Sequence, residues 1–257
     1  MAIDLKAMRA KLDQSKNGGK SSGSKSTMWR PKAGDQMIRI LSTADGDPFR
    51  EFHFHYNVGK NPGIYCNKRN DNGECAICDF ASKLWRDGVE SDDQNLKNEA
   101  KKLFARKRYY SPVLVRGHES EGVKIWAYGK TAYETLLGYV LDPDYGDITD
   151  AETGTDIKLT YSIPGTPGSF PKTNLQPRRR PSVLCDDSIA DCQQLLDSVP
   201  DIDNLFDVKS TEDIQSLLDG YLSSDNSAES SSNETQKFKK QTGESVDKAF
   251  AAFMTDE

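Results

Sequence analysis

The sequence predicts an α+β fold that is mainly β, and three observations carry that reading. Six short apolar stretches follow one another from Met37: MIRIL, FREFHFHY, GIYC, RYYSPVLV, VKIWAY and IKLTYSI. The turn-forming segments DGDP, GKNPG, HESEG and ETGTD separate most of them. Short alternating runs bounded by Gly, Pro, Asn and Asp are the pattern of half-buried strands. Two stretches between them carry helical spacing instead, Leu96, Ala100, Leu103 and Phe104, then Tyr133, Leu136, Leu137 and Val140. Strands of this number and length suit a small barrel or sandwich with peripheral helices.

Each element has its own local signal. Before the first strand, IDLKAMRAKL reads as a short basic amphipathic arm and NGGKSSGSKST as a Gly/Ser/Lys linker, so residues 1–27 form an arm and linker. Thr131-Ala-Tyr-Glu134 has capping-box spacing ahead of the second helical pattern. Beyond Pro181, Leu195, Leu196 and Val199 mark one helix, and Ile214, Leu217, Leu218 and Tyr221 another. The polar run SSDNSAESSSNE then opens a flexible acidic tail over residues 223–257. The tail closes on ESVDKAFAAFMTDE, where Val246, Phe250 and Phe253 share one face of a short helix. An apolar face beyond a linker is suited to docking on a partner protein.

The net charge of −6 averages two unlike regions. From Asp186 to Glu257 there are 17 acidic and 5 basic residues, whereas Met1 to Cys185 holds 23 acidic and 29 basic ones. A basic body thus carries an acidic tail, and the body is the part suited to a polyanion. No stretch has the roughly 18 apolar residues of a membrane span, and the opening residues lack the apolar core of a secretory signal. A cytoplasmic location is expected, where clustered cysteines serve as metal ligands more often than as disulfides.

Such a cluster is present. Cys75-Ala-Ile-Cys78 is a C-x2-C pair, with Cys66 upstream and histidines at positions 53 and 55. A hairpin turning on Lys60 and Asn61 sets His55 opposite Cys66, with both side chains on one face. His53 points the same way from further along, and is the alternative. Three thiolates and one imidazole complete the tetrahedral shell of a single structural zinc ion. The loop they enclose has little apolar content of its own, so the ion is expected to order it. Cys185 and Cys192 read as separate packing residues.

A second constellation joins cations to rings. Arg106-Lys-Arg108 runs directly into Tyr109 and Tyr110; Trp126 and Tyr128 share one face of a later strand; Phe170 and Lys172 lie in sequence that reads as loop, as does Gln176-Pro-Arg-Arg-Arg-Pro181. Cations neutralise phosphates and exposed rings stack on any base, a combination that single-stranded nucleic acid uses. Tyr109 and Tyr110 must point to opposite faces, and Tyr109 is the one expected to meet the ligand.

The order of basic arm, apolar strands, His-x10-Cys-x8-Cys-x2-Cys, basic-aromatic strand and acidic tail resembles the single-stranded DNA-binding proteins of T-even-type bacteriophages, the helix-destabilising proteins. The zinc segment continuing into DFASKLW, together with RKRYYSPVLV and IKLTYS, carries the likeness. The resemblance implies an OB-fold barrel with an inserted zinc subdomain, about residues 53–88 within a core of 28–222. It implies the metal ligands His55, Cys66, Cys75 and Cys78, and DNA contacts by Arg106, Lys107, Arg108, Tyr109 and Trp126, with Phe170 on a DNA-facing loop. Tyr128 and Lys172 join the contact set from the basic-aromatic pattern itself. Implied partners are single-stranded DNA, further copies of the chain through the N-terminal arm, and replication and recombination proteins through the tail. The family's N-terminal Lys/Arg-Ser/Thr motif is absent from MAIDLKAMRAKL.

The implied function is non-enzymatic: coating single strands during phage DNA replication, recombination and repair in the host-cell cytoplasm. A filled metal shell leaves no open position for catalysis, no H-x-E element of a deaminase is present, and neither is a GxxxxGK[ST] nucleotide loop. A zinc-containing, single-stranded RNA-binding regulator is the alternative, since the same rings and cations would serve it.

Overall fold

The computed structural model describes residues 27–59, 61–165, 170–185 and 192–227, with side chains to residue 223. The arm over residues 1–26 and the tail helix around Val246, Phe250 and Phe253 lie outside the described residues. Among those described, the chain runs β1 (Met28–Trp29), β2 (Gly34–Ile40), β3 (Arg50–His55), β4 (Ile64–Tyr65), α1 (Asn67–Asn70), α2 (Ala76–Glu90), α3 (Gln94–Leu103), β5 (Arg106–Val115), β6 (Lys124–Tyr128), α4 (Lys130–Leu141), β7 (Ile157–Ser162), β8 (Lys172–Pro177), α5 (Cys192–Asp197) and α6 (Thr211–Ser227). The result is a mixed sheet of eight strands with several helices. Its order is β1-β6-β5-β2-β7-β8, with β3 paired to both β4 and β5.

Two strands were not legible as such. Met28–Trp29 is too short for an alternation, and pairs in parallel with β6 through Trp29 opposite Trp126. Lys172–Pro177, whose two ends, Lys172 and Gln176-Pro177, read as loop, pairs antiparallel with β7 along its whole length. Only Leu175 of that strand is buried, so there was no apolar period to find. A third correction concerns α4, which begins at Lys130 behind Gly129, so Thr131 lies inside the helix and caps nothing.

Among the described residues the chain divides into two compact units, one formed by residues 27–50 and 110–205, the other by residues 51–109 and 206–227. β5 crosses the division, placing Arg106 to Tyr109 in the second unit and Tyr110 to Val115 in the first. In the first unit, Ile38, Ile40, Val113, Ile125, Trp126, Ile157 and Leu159 are buried along the sheet. Arg39, between the two isoleucines, is fully buried as well. Its Nε donates to Asp156 at 2.9 Å and its terminal nitrogens to the carbonyls of Asp150 and Gly154 and to Ser182. Arg116 reaches the same carboxylate and donates to the carbonyls of Val183 and Leu184, fastening the segment after β8. Burial pushes the Arg39 pKa down, and the Asp156 charge opposes that shift. Cys185 and Cys192, expected as separate packing residues, are joined in a disulfide with their Cα atoms 5.6 Å apart. That spacing is within bridging range.

The second unit has its own core. Ile64, Ile77, Phe80, Leu84, Leu96, Leu103, Ile214 and Leu218 pack into one cluster that includes Cys66, Cys75 and Cys78. The expectation of a metal loop poor in apolar residues holds for α1, which buries none of its residues, but not for the unit around it. α2 and α3 form a helical hairpin whose turn is set by Asp93, the N-cap of α3, accepting from the Asn95 N–H. Gly88 permits their close approach: a Cβ there would meet Leu96 Cβ at 3.0 Å. The ring of Phe206 lies 5.0 Å from Phe52 and 4.9 Å from Phe54, tying the returning chain to β3.

Candidate metal centre and nucleic-acid surface

Four elements of the second unit each bring one donor to a single point. His55 ends β3, Cys66 follows β4 and N-caps α1, Cys75 N-caps α2, and Cys78 lies in its first turn. Placing C-x2-C across a helix start favours the thiolate form, since the free N–H groups and the helix dipole stabilise negative charge there.

Cys66 Sγ lies 3.4 Å from Cys78 Sγ, and His55 Nε2 lies 3.3 Å from Cys75 Sγ and 3.5 Å from Cys78 Sγ. All four donor atoms fall within 4.8 Å of one another, and all four residues are buried. Sulfurs held about 2.3 Å from a tetrahedral ion are about 3.8 Å apart, so this spacing fits one ion at the centre. The tautomer is fixed by a neighbour. His55 Nδ1 lies 2.7 Å from the Leu103 carbonyl oxygen, which can only accept, so Nδ1 carries the hydrogen and Nε2 presents its lone pair to the sulfurs. Among the sulfurs themselves, hydrogen bonds from Cys75 and Cys78 hold the Cys66 thiol down at about 3, helped by the Lys68 and Arg69 backbone N–H groups. The reciprocal bonds to Cys66 and Cys75 push the Cys78 thiol up. The cluster can hold a metal ion, and its donor set is consistent with zinc.

The hairpin register differs from the one expected. Phe54 pairs with Tyr65 and His55 with Ile64, so His53, not His55, stands across from Cys66. Asn57 and Gly59 adopt positive φ, which moves the turn toward β3 relative to a Lys60-Asn61 centre. His55 still reaches the sulfurs, because Cys75 and Cys78 come up from α2 rather than along the hairpin. His53 is held aside by Asn70, whose Oδ1 accepts from the His53 backbone N–H at 2.8 Å and whose amide donates to its carbonyl.

The basic-aromatic residues separate by exposure. Arg106 and Lys107 are exposed and Arg108 is partly so. Lys107 pairs with Glu51 at 2.9 Å, while Arg106 and Arg108 make no ion pair among the described residues. Phe170 is 84% exposed, and Lys172 is exposed at the start of β8. Tyr109, Trp126 and Tyr128 are interior, at 5%, 1% and 4% exposure. Trp126 packs against Trp29 with centroids 6.2 Å apart and against Tyr128 at 4.4 Å, and the Tyr128 hydroxyl lies 2.6 Å from Ser111 Oγ. Sharing a strand face, as Trp126 and Tyr128 do, says nothing about what covers that face, and here β1 supplies Trp29.

Fold and site together describe a β-based binding protein carrying a Cys3His metal cluster and two exposed or partly exposed arginines, Arg106 and Arg108, without an ion pair among the described residues. A family model described as "gp32 DNA binding protein like" matches residues 32–220, and the chain belongs to that family of DNA-binding proteins. The match covers the metal cluster and the sheet from β2 to β8, and it bears out the resemblance to the single-stranded DNA-binding proteins of T-even-type phages. It supports single-stranded DNA binding by a non-enzymatic protein and gives no support to the RNA alternative. A comparison with curated proteins finds no match. No described helix is long and apolar enough to cross a membrane.

Proposed function

We propose that this chain coats and protects single-stranded DNA during phage DNA replication, recombination and repair, in the cytoplasm of the host cell. The observation that carries the reading is the pair of arginines at the open start of β5, Arg106 and Arg108, uncompensated by carboxylates among the described residues. They lie within the segment matched to a DNA-binding family. Lys107 in the second unit, and Lys172 and Phe170 in the first, are further contacts, while Tyr109, Trp126 and Tyr128 are buried and support their own strands. The core, residues 28–222, acts as an OB-type barrel, and one structural zinc on His55, Cys66, Cys75 and Cys78 holds the inserted subdomain of about residues 53–88. Such a protein opens duplexes by mass action, because a ligand that binds only separated strands pulls melting toward them.

The ends of the chain complete the proposal. The basic arm of residues 1–27 mediates association between copies along DNA. The acidic tail of residues 223–257 competes with phosphate when DNA is absent and recruits replication and recombination proteins when displaced. Titration with oligo(dT) at several salt concentrations, with duplex DNA and matching RNA as competitors, tests the reading. Preference for single-stranded DNA with a log-log salt slope of about −2 or steeper is expected, at roughly −0.7 per phosphate contact. Preference for duplex or for RNA would refute it.

A further inference from the structure

The second unit contains a pocket of about 200 Å³ that neither the metal cluster nor the β5 arginines account for. His53, Lys68, Arg69, Phe104 and Ala105 line it, with Ser82 and one side of Cys78. The volume is below the roughly 300–1,000 Å³ of sites for drug-sized ligands, so the pocket suits a single flat group rather than a length of strand.

Its chemistry is divided in the way a nucleobase is. Phe104 and Ala105 give it an apolar wall. No carboxylate lines the pocket. Lys68 is already committed to Asp79 at 2.6 Å, but Arg69 makes no ion pair among the described residues, so its planar fork is available to acceptors on a base edge. His53 Nδ1 faces Asn70 Oδ1 at 3.3 Å, and that oxygen can only accept because the Asn70 amide nitrogen donates to the His53 carbonyl. Nδ1 therefore carries the hydrogen, and Nε2 remains an acceptor for a base N–H. A phosphate would use the donor fork alone and leave the ring wall and the acceptor idle.

We infer that this pocket holds one unstacked nucleobase of the bound strand, flat against Phe104 with its edge on Arg69 and His53. The inference rests on the single-stranded DNA reading and adds a site to it. Ala105 precedes Arg106 in the chain, so a strand whose phosphates rest on the β5 arginines passes within reach of the pocket. The metal cluster sets one wall: Lys68 and Arg69 follow Cys66 in α1, and their backbone N–H groups donate to its sulfur.

The test compares two probes of equal length on the full, metal-loaded chain, oligo(dT) and an abasic deoxyribose-phosphate oligomer that keeps the phosphates and lacks the bases. Fluorescence anisotropy gives both affinities. Arg69→Ala is expected to weaken oligo(dT) binding about five- to tenfold and to leave the abasic oligomer unchanged, the loss of one edge contact to a base. Ala105→Leu, which fills the pocket, should show the same base-selective loss, with metal content and unfolding midpoint checked for each variant. Arg106→Ala, by contrast, should weaken both probes. Equal losses on the two probes for Arg69→Ala would make it a phosphate contact and overturn the pocket assignment, as would no loss on oligo(dT). If the unaltered chain bound neither probe, the single-stranded DNA reading itself would fall, and the pocket assignment with it.

Discussion

Arg39 Nε stands 2.9 Å from Asp156 Oδ1 with both side chains closed off from water, and Arg116 shares the same carboxylate. One acid thus accepts from two guanidiniums, whose remaining donors are taken up by backbone carbonyls around Asp150 and Ser182–Leu184. Asp156→Ala would leave the buried Arg39 and the partly buried Arg116 without the carboxylate they share. The expected cost is about 3–5 kcal/mol of stability. Urea unfolding measures it, and a loss under about 0.5 kcal/mol, the range of ordinary surface changes, would contradict the assignment.

Metal removal should disorder the second unit before the first. Chelation is expected to release about one ion per chain, with loss of near-ultraviolet signal and protease cleavage appearing within residues 51–109. Cys75→Ser should behave as the chelated protein does. The ligands must be deprotonated to bind, so affinity falls as pH falls and the ion leaves on acidification. Metal analysis showing far less than one ion per chain in freshly purified protein would exclude a structural zinc.

Arg106→Ala and Arg108→Ala should each weaken oligo(dT) binding whatever the base sequence. Each removes a phosphate contact, so the log-log salt slope should become shallower by roughly 0.7 per substitution. Lys107→Ala should do less, since Lys107 is shared with Glu51. An unchanged slope in the double arginine variant would remove β5 from the DNA surface.

The rings should divide between binding and stability. Phe170→Ala is expected to cost about 1–3 kcal/mol of DNA affinity, the value of one stacked base, and to leave the unfolding midpoint unmoved. Trp126→Ala should instead cost about 3–5 kcal/mol of stability, as a large interior ring does. A Trp126→Ala variant with native stability and lost binding would reverse the roles assigned here.

How far the sequence could be read follows from what a pattern encodes. Ligand spacing is written directly in the chain, so Cys66, Cys75 and Cys78 were plain, and they converge with His55. The hairpin register depended on where the turn sat, and positive φ at Asn57 and Gly59 shifted it in a way that a centre on Lys60 and Asn61 did not foresee. Alternation found β2 through Ile38 and Ile40, but it shows only that Arg39 faces the other way, not that residues 150–156 and Ser182 enclose it. The same blindness to the opposite face made Trp126 and Tyr128 look available. β8 stayed hidden because a strand with one buried residue has no period to detect.

The second unit is assembled from distant stretches, Glu51–Tyr109 and the return from Phe206, and that discontinuity has a temporal side. A ribosome delivers every metal ligand by Cys78, whereas Ile214, Leu218 and Leu222 of the same core appear only after the whole of Tyr110–Leu205 has been made. At about 5–20 residues per second the gap lasts roughly seven to thirty seconds. Throughout it the nascent chain carries four soft donors beside an apolar surface still lacking its last helix. An ion captured in that interval would join His55 to Cys78 before the last helix arrives, so the supply of metal during translation would bear on how much of the newborn protein escapes aggregation.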